Sequence, residues 1–122
     1  FKNIFVLKTA KKSDVMILYT SKYKSVDEFQ QEFNRTYPYL RIEFEQKRNG
    51  KVATEKLPEG AIEIADSTTV QQLQKSIRLL FGIPAQIFRK SGKTWLATTM
   101  TDHWTLLQQN QHGEEISAWA LK

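Results

Sequence analysis

The sequence predicts a small α+β domain in which two helices pack on one face of a mainly antiparallel sheet. The first observation is an internal repeat, since the segments Ser25–Phe44 and Thr69–Phe88 align at an offset of 44 residues across their helical parts. The second is that a strand-like stretch precedes and follows each helical pattern. A unit of strand, helix, strand and strand that occurs twice is typical of the α+β class.

Each predicted helix has a start signal, an apolar stripe and a stop signal. The starts are Ser25 and Thr69, because a hydroxyl side chain caps the first turn of a helix. Apolar side chains then recur at helical spacing, which indicates one buried face. They are Val26, Phe29 and Phe33 in the first helix and Val70, Leu73, Ile77 and Leu80 in the second. Pro38 ends the first helix, and Gly82 with Pro84 ends the second.

The predicted strands flank these helices. Apolar and polar residues alternate in Leu40–Phe44, and Ile83–Ile87 is its counterpart in the second copy. A hairpin turn follows each, at Arg48–Lys51 with Asn-Gly and at Lys90–Lys93 with Ser-Gly. The remaining predicted strands are Asn3–Lys8, Asp14–Thr20, Lys51–Lys56, Ala61–Asp66 and Lys93–Thr99. The core order β-α-β-β-α-β is typical of a ferredoxin-like or related sandwich.

These elements indicate a single domain over residues 1–122. An internal duplication covers about 14–56 and 61–99, and a C-terminal tail covers 100–122. In the tail we expect Thr101 or Asp102 to cap a short helix that ends at Gly113. We expect Glu115–Leu121 to form a last strand.

The composition restricts the class of protein. The chain has 122 residues, of which 40% are hydrophobic and 25% charged, which suits one globular domain. It contains no cysteine, so disulfides and thiolate sites are excluded. The same absence favours a reducing compartment, hence a cytoplasmic location, over an exported domain, which the composition also permits. No run of about 18 apolar residues occurs, so we expect no membrane contact. The chain begins at Phe1 rather than Met, and we expect that a preceding segment was removed.

The tripeptide Gly92-Lys93-Thr94 ends as a phosphate-binding loop does and raises the question of nucleotide binding. Such a loop needs another glycine five positions before Gly92, and that position holds Ile87. The residues after Thr94 are strand-like, so no helix N-terminus follows to direct amides at a phosphate. We therefore interpret Gly92 as the turn glycine of a hairpin and predict no nucleotide cofactor.

No catalytic or metal-binding set emerges from the other residues. His103 and His112 lie nine positions apart and do not share a helix face, whereas zinc sites usually use three or four protein ligands. Glu43 and Glu45 share one face of a strand, but they adjoin a basic hairpin, which favours exposed charges over acid–base chemistry. No serine lies in a nucleophile elbow. We predict a protein that is not an enzyme and that holds no cofactor or metal.

The charge balance leaves nucleic-acid binding open. The net charge is +5, from 18 Lys and Arg against 13 Asp and Glu, and the pI is about 9.5. This excess permits nucleic-acid binding by counterion release and is equally typical of scattered solvating lysines. The aromatic signature of an RNA-recognition motif is absent, since Arg89–Thr99 offers only Trp95 as a ring. The candidate nucleic-acid face consists of the paired basic residues Lys11, Lys12, Lys22, Lys24, Lys47, Arg48, Arg89 and Lys90.

The segment Val70–Ile116 resembles a small group of bacterial proteins without an assigned activity. The shared run is FRKSGxxWLxTTxTDxWTLxxQNxxG. It is matched here at Phe88–Gly92, Trp95-Leu96, Thr98-Thr99, Thr101-Asp102, Trp104–Leu106, Gln109-Asn110 and Gly113. The resemblance covers about two fifths of the chain. It implies a bacterial protein and carries over no catalytic residue.

The leading functional hypothesis concerns the same segment. Between Thr94 and Gly113, Trp95 and Trp104 lie among hydroxyl and amide side chains, with little charge apart from Asp102. Such surfaces are typical of protein interfaces, and the alternative is that both rings close the end of the core. We expect a binding module that contacts another protein or a second copy of itself. The expected contact residues are Trp95, Thr98, Trp104, Gln108, Gln109 and Asn110.

Overall fold

The computed structural model describes residues 15–20, 25–45 and 59–120 and has the predicted α+β architecture. Its elements in chain order are β1 (Met16–Tyr19), α1 (Val26–Thr36), β2 (Leu40–Phe44), β3 (Ala61–Ile64), α2 (Val70–Phe81), β4 (Ala85–Ser91), β5 (Thr94–Ala97), a 3-10 helix (Thr99–Thr101) and α3 (Leu106–Ala120). The α+β class is therefore confirmed. None of the helices in these ranges is long and apolar enough to cross a membrane.

The strands form two antiparallel sheets where one was predicted. β1 pairs with β3, and the other sheet has the order β2-β4-β5. In the larger sheet Ile42 lies opposite Ile87, and Lys90 lies opposite Trp95. Its inner face and the apolar stripes of the helices form the core, whose fully buried large side chains include Phe29, Phe33, Leu40, Ile42, Leu73, Ile77, Ile87 and Leu106.

The first two helices begin and end for the predicted local reasons. The Ser25 hydroxyl accepts from the Glu28 amide at 3.3 Å. Thr69 and Gln72 form a reciprocal capping box, with hydrogen bonds of 3.1 and 2.9 Å. At the other end of α2, Gly82 adopts a left-handed conformation with φ of 75°, as a C-terminal glycine should.

The two helices contact the sheet in the same way. The Gln30 amide on α1 donates to the Ile42 carbonyl at 2.7 Å, and the Gln74 amide on α2 donates to the Ala85 carbonyl at 2.9 Å. Gln30 and Gln74 occupy equivalent positions in the sequence alignment. The internal duplication stays a prediction. The predicted strands Asn3–Lys8 and Lys51–Lys56 and the turn Arg48–Lys51 lie outside the described residues.

The hairpin interpretation of Gly92 is confirmed. Ser91 lies opposite Thr94, so the turn consists of two residues. Gly92 has a φ of 66°, in the region that favours glycine. Its amide donates to the Ser117 hydroxyl on α3 at 3.1 Å. The turn is thus held by the protein's own third helix.

The prediction for the C-terminal tail was wrong. α3 continues through Gly113 to Ala120, so Gly113 does not end a helix, and residues 115–120 of the predicted strand Glu115–Leu121 are helical. Glycine at position 113 lets α3 approach β4 and Tyr39 closely. A Cβ at this position would lie 2.9 Å from the Tyr39 Cβ and 3.2 Å from the Lys90 carbonyl oxygen. The helix begins after Thr105, whose hydroxyl accepts from the Gln108 amide at 3.1 Å, and not after Thr101 or Asp102.

The starts of α2 and α3 hold each other in place. The amides of Val70 and Gln71 donate to the carbonyls of Trp104 and Asp102, at 3.1 and 2.9 Å. In return, the amides of Leu106 and Leu107 donate to the carbonyls of Thr68 and Asp66, at 2.8 and 3.2 Å. The first amides of a helix have no partner within that helix. Here these amides of α2 and α3 donate to carbonyls in the segment that precedes the other helix. The tail is an integral part of the fold.

Candidate functional site

One face of the three-stranded sheet turns away from the helices. Successive side chains of a strand point to opposite faces, and the buried residues of β2 and β4 face the core. We call the opposite set the outer face; it comprises Arg41, Glu43, Gln86, Phe88, Lys90, Trp95 and Ala97. Phe88 and Trp95 are only half-buried. The described helices pack against the other side, so two aromatic rings lie on the face that these helices leave uncovered.

Two cations surround the Trp95 ring. The Arg41 guanidinium carbon lies 4.9 Å and the Lys90 ammonium 5.6 Å from the ring centroid. Each contact of this kind contributes about 0.5–1 kcal/mol at an exposed site. Arg41 also donates from Nε to the Glu43 carboxylate at 3.0 Å. These contacts favour the observed orientation of the ring.

An open groove borders the outer face between α1 and β2. Its volume is about 370 Å³, and its lining combines the Trp95 ring with amides and charges of both signs: Asp27, Gln30, Gln31, Asn34, Arg41, Ile42, Glu43 and Trp95. Two of these amides are already engaged, since Gln30 and Asn34 donate to the carbonyls of Ile42 and Leu40 at 2.7 and 2.8 Å. The groove therefore offers Gln31, the charged groups and one aromatic wall to a ligand.

Arg89 serves the interior of the fold, although the sequence groups it with Lys90. The two side chains point to opposite faces because they are neighbours on one strand. Arg89 donates from Nη1 to the Gln109 Oε1 at 2.7 Å, and its guanidinium carbon lies 5.8 Å from the Trp104 centroid. Burial lowers the pKa of Arg89 from its usual value, and its Nε is buried without a hydrogen-bond partner. Arg89 joins β4 to α3 and is misplaced in the predicted nucleic-acid face.

The six predicted contact residues do not form one surface. Thr98 and Gln109 are buried, at 1% and 0% exposure, so they are internal residues and not the contact residues that we expected. Thr98 donates from its amide and its hydroxyl to the Ile87 carbonyl, at 3.1 and 2.8 Å. Gln109 donates to the carbonyl and the hydroxyl of Thr101, at 2.8 and 2.9 Å.

The other four residues are divided between different places. Trp95 lies on the outer face, whereas Trp104 lies beyond the inner face, edge-on to His112 with the ring centroids 5.4 Å apart. Asn110 accepts from the Tyr39 amide at 2.8 Å, and exposed Gln108 caps α3. In the described part of the chain, Trp95 and Trp104 therefore lie on different sides of the sheet.

Most of the predicted nucleic-acid face lies outside the described residues. This applies to Lys11, Lys12, Lys22, Lys24, Lys47 and Arg48. Lys90 is the predicted member that reaches the outer face. Arg41 and Phe88 belong to the site and were missed, because their place beside Trp95 depends on the pairing of β2 with β4 and of β4 with β5. The alternation in Leu40–Phe44 was a usable signal for Arg41, since it already turned that residue away from the core.

In the described ranges, no group of three or more His, Asp or Glu residues is arranged to hold a metal ion. A second open cavity of about 530 Å³ lies beside Tyr19 and Gly60. There the Thr20 hydroxyl donates to the Gly60 carbonyl at 3.1 Å and accepts from its amide at 3.0 Å. Its lining consists of Tyr19, Thr20, Glu59, Gly60 and Ala61, with no cation and no ring other than Tyr19. The outer face combines two rings with charges of both signs and is the stronger candidate. Comparison with models of known families, with curated proteins and with solved structures found no match for this chain.

Proposed function

We propose that this chain is a non-enzymatic binding module that contacts another protein through the outer face, with Trp95 at the centre of the contact. The observation that carries the proposal is the half-buried Trp95 ring between Arg41 and Lys90, beside a second half-buried ring, Phe88. Tryptophan and arginine are enriched among the residues that dominate interface energy. The proposal keeps Trp95 from the sequence hypothesis and moves the rest of the contact away from α3.

A different protein suits this face better than a second copy of the chain. The chain carries a net charge of +5, and each outer face bears two cations, Arg41 and Lys90, against one carboxylate, Glu43. Two copies that met face to face would bring like charges together, which is unfavourable in an interface. A partner that presents carboxylates avoids this cost.

Nucleic-acid binding is the second candidate. Trp95, Phe88 and Lys90 share an open sheet face, and such faces stack bases in some RNA-binding domains. The local charges favour it less. Arg41 is already paired with Glu43, and Asp27 and Glu43 line the adjoining groove, where they would repel phosphate groups.

Site-specific photocrosslinking tests the proposal. The photoreactive residue p-benzoylphenylalanine would replace Phe88 in the full chain, expressed in its native cells. The matched control carries the same residue at Leu79, which is 77% exposed on α2, away from the outer face. We expect a discrete crosslinked protein from position 88 that is lost in the Trp95→Ala background and is not formed from position 79.

Two outcomes would contradict the protein-binding proposal. One is a crosslinked product that nuclease digests, which would favour the nucleic-acid alternative. The other is a pattern that is the same from positions 88 and 79, or that persists without Trp95. Nucleic-acid binding also predicts a steep loss of affinity with salt, about 10³-fold or more between 50 and 200 mM for six or more phosphate contacts.

A further inference from the structure

The two edges of the three-stranded sheet differ in how their backbone groups are paired. At the two ends of the β2–β4 pair, the Lys90 amide donates to the Tyr39 carbonyl and the Glu45 amide donates to the Pro84 carbonyl. These two bonds fix which residues of β2 bond to β4. In an antiparallel pair, every second residue bonds to the partner strand, and the backbone groups of the residues between them point away from it. The Leu40 and Ile42 carbonyls therefore point to the edge of β2 that is remote from β4. Both accept a side-chain amide from α1, Asn34 and Gln30. Two carbonyls of this edge are therefore already occupied by the protein's own side chains.

The edge at β5 is open in the described part of the chain. The Thr98 amide donates to the Ile87 carbonyl at 3.1 Å, so Thr98, Leu96 and Thr94 are the residues that bond to β4. The intervening residues, Trp95 and Ala97, direct their backbone amides and carbonyls away from the sheet. No hydrogen bond from another described residue reaches these groups. An unpaired strand edge of this kind is a template for one more strand.

The charge and side chains around β5 define what would fit there. The hairpin of residues 85–97 has no carboxylate, and with Arg89 engaged by Gln109 on the inner side, Lys90 and Lys93 supply its two available positive charges. Leu96, on the inner side of β5, is 46% exposed. An added strand would therefore place acidic side chains towards Lys90 and Lys93 and apolar side chains beside Leu96.

We infer that the partner contributes an extended acidic segment, with acidic and apolar residues alternating, which adds to the free edge of β5 as a fourth strand. Its acidic side chains lie on the outer side, with their methylene groups against the Trp95 ring, and its apolar side chains lie beside Leu96 on the inner side. This inference rests on the proposed function and specifies the mode of binding. Backbone hydrogen bonds supply affinity in such complexes, and alternate side chains supply specificity. The described part of β5 has four residues, so the contact is short and needs the Trp95 ring as an anchor.

A selection from random 12-residue peptides displayed against the full chain tests the inference. We expect the enriched peptides to alternate acidic and apolar residues. The best peptide is then synthesised in two N-methylated forms, one for each alternate set of its amides. One set faces β5 and the other faces solvent, so each form is the control for the other. Methylation of one set should weaken binding roughly tenfold or more, because several backbone hydrogen bonds are lost together, and methylation of the other should have little effect.

Two variants of the protein complete the test. Ala97→Pro removes an amide that faces away from β4, so it should block the added strand and leave the β4–β5 ladder paired. Trp95→Ala should abolish binding of the selected peptide. If Trp95→Ala abolishes binding but both methylated peptides bind normally, the strand-addition mode is refuted and the outer face stands as the binding site. If no peptide is enriched, the inference fails, and the crosslink from position 88 decides the proposed function. If peptide binding does not depend on Trp95, the inference and the proposed function both fail. If the chain dimerises and Ala97→Pro abolishes the dimer, a second copy of the chain occupies the β5 edge. That result would refute the inference of an acidic partner segment.

Discussion

Replacement of Gly113 by alanine tests whether α3 is pressed against the sheet as closely as the structure shows. In an ordinary helix interior, Gly→Ala is favourable by about 1 kcal/mol. Here the new Cβ would lie 2.9 Å from the Tyr39 Cβ, 3.0 Å from the Arg89 Cγ and 3.2 Å from the Lys90 carbonyl oxygen. Two of these neighbours, a Cβ and a backbone oxygen, cannot move away by rotation of a side chain. Forced overpacking costs about 1–3 kcal/mol. After the propensity gain is subtracted, we expect Gly113→Ala to lower the free energy of unfolding by up to about 2 kcal/mol.

The assay is urea unfolding of the full chain, followed by circular dichroism. The matched control is Gln111→Gly, two residues away at an exposed position of α3, which should cost about 0.5–1 kcal/mol through helix propensity. Gly113→Ala removes a glycine from α3 and Gln111→Gly adds one, yet both should destabilise the protein. Helix propensity alone predicts opposite effects for the two substitutions. An increase in stability for Gly113→Ala would refute the close approach.

Three further results are expected from the same unfolding assay. Phe33→Ala and Ile77→Ala should each cost about 2–5 kcal/mol, because both side chains are fully buried and leave cavities; a cost below about 1 kcal/mol would show that the helices are not packed as described. Gly92→Ala should cost roughly 1 kcal/mol or more through its positive φ, and millimolar ATP or GTP should leave the melting temperature unchanged; a nucleotide-dependent rise would restore the phosphate-loop interpretation. Gln109→Ala should cost about 2–4 kcal/mol, since it opens a cavity and removes the partner of the Arg89 guanidinium; an effect near zero would place this side chain in solvent.

Local chemistry made much of the fold predictable. Hydroxyl caps at Ser25 and Thr69, apolar residues at helical spacing and the C-terminal Gly82 each act within a few residues of the chain. The hairpin at Gly92 is equally local, since a two-residue turn with a positive φ depends on the turn residues themselves. Thr105 and Gln108 carry the same capping pattern as Thr69 and Gln72, a signal from which the true start of α3 could have been found.

The errors arose where one residue type serves two physical purposes. Gly113 was interpreted as the end of a helix, because glycine commonly adopts the left-handed conformation there. In the structure it lies inside α3, where the absence of a side chain lets the helix approach Tyr39 and β4. Both uses favour glycine, and only the position of α3 against the sheet distinguishes them.

The candidate site shows the same division. The amino-acid sequence by itself determined the class of the fold, the two amphipathic helices, the turn at Gly92 and the basic character of the β4–β5 hairpin, because each follows from neighbouring residues. Tertiary structure alone decided that Arg89 and Trp104 belong to the interior side while Lys90, Trp95 and Arg41 share the outer face. It also decided that side chains of α1 occupy two carbonyls at the β2 edge, whereas the β5 edge has no partner among the described residues. Strand register and helix packing join residues that lie far apart in the chain, and the alternation of side chains across a strand sends immediate neighbours to opposite faces.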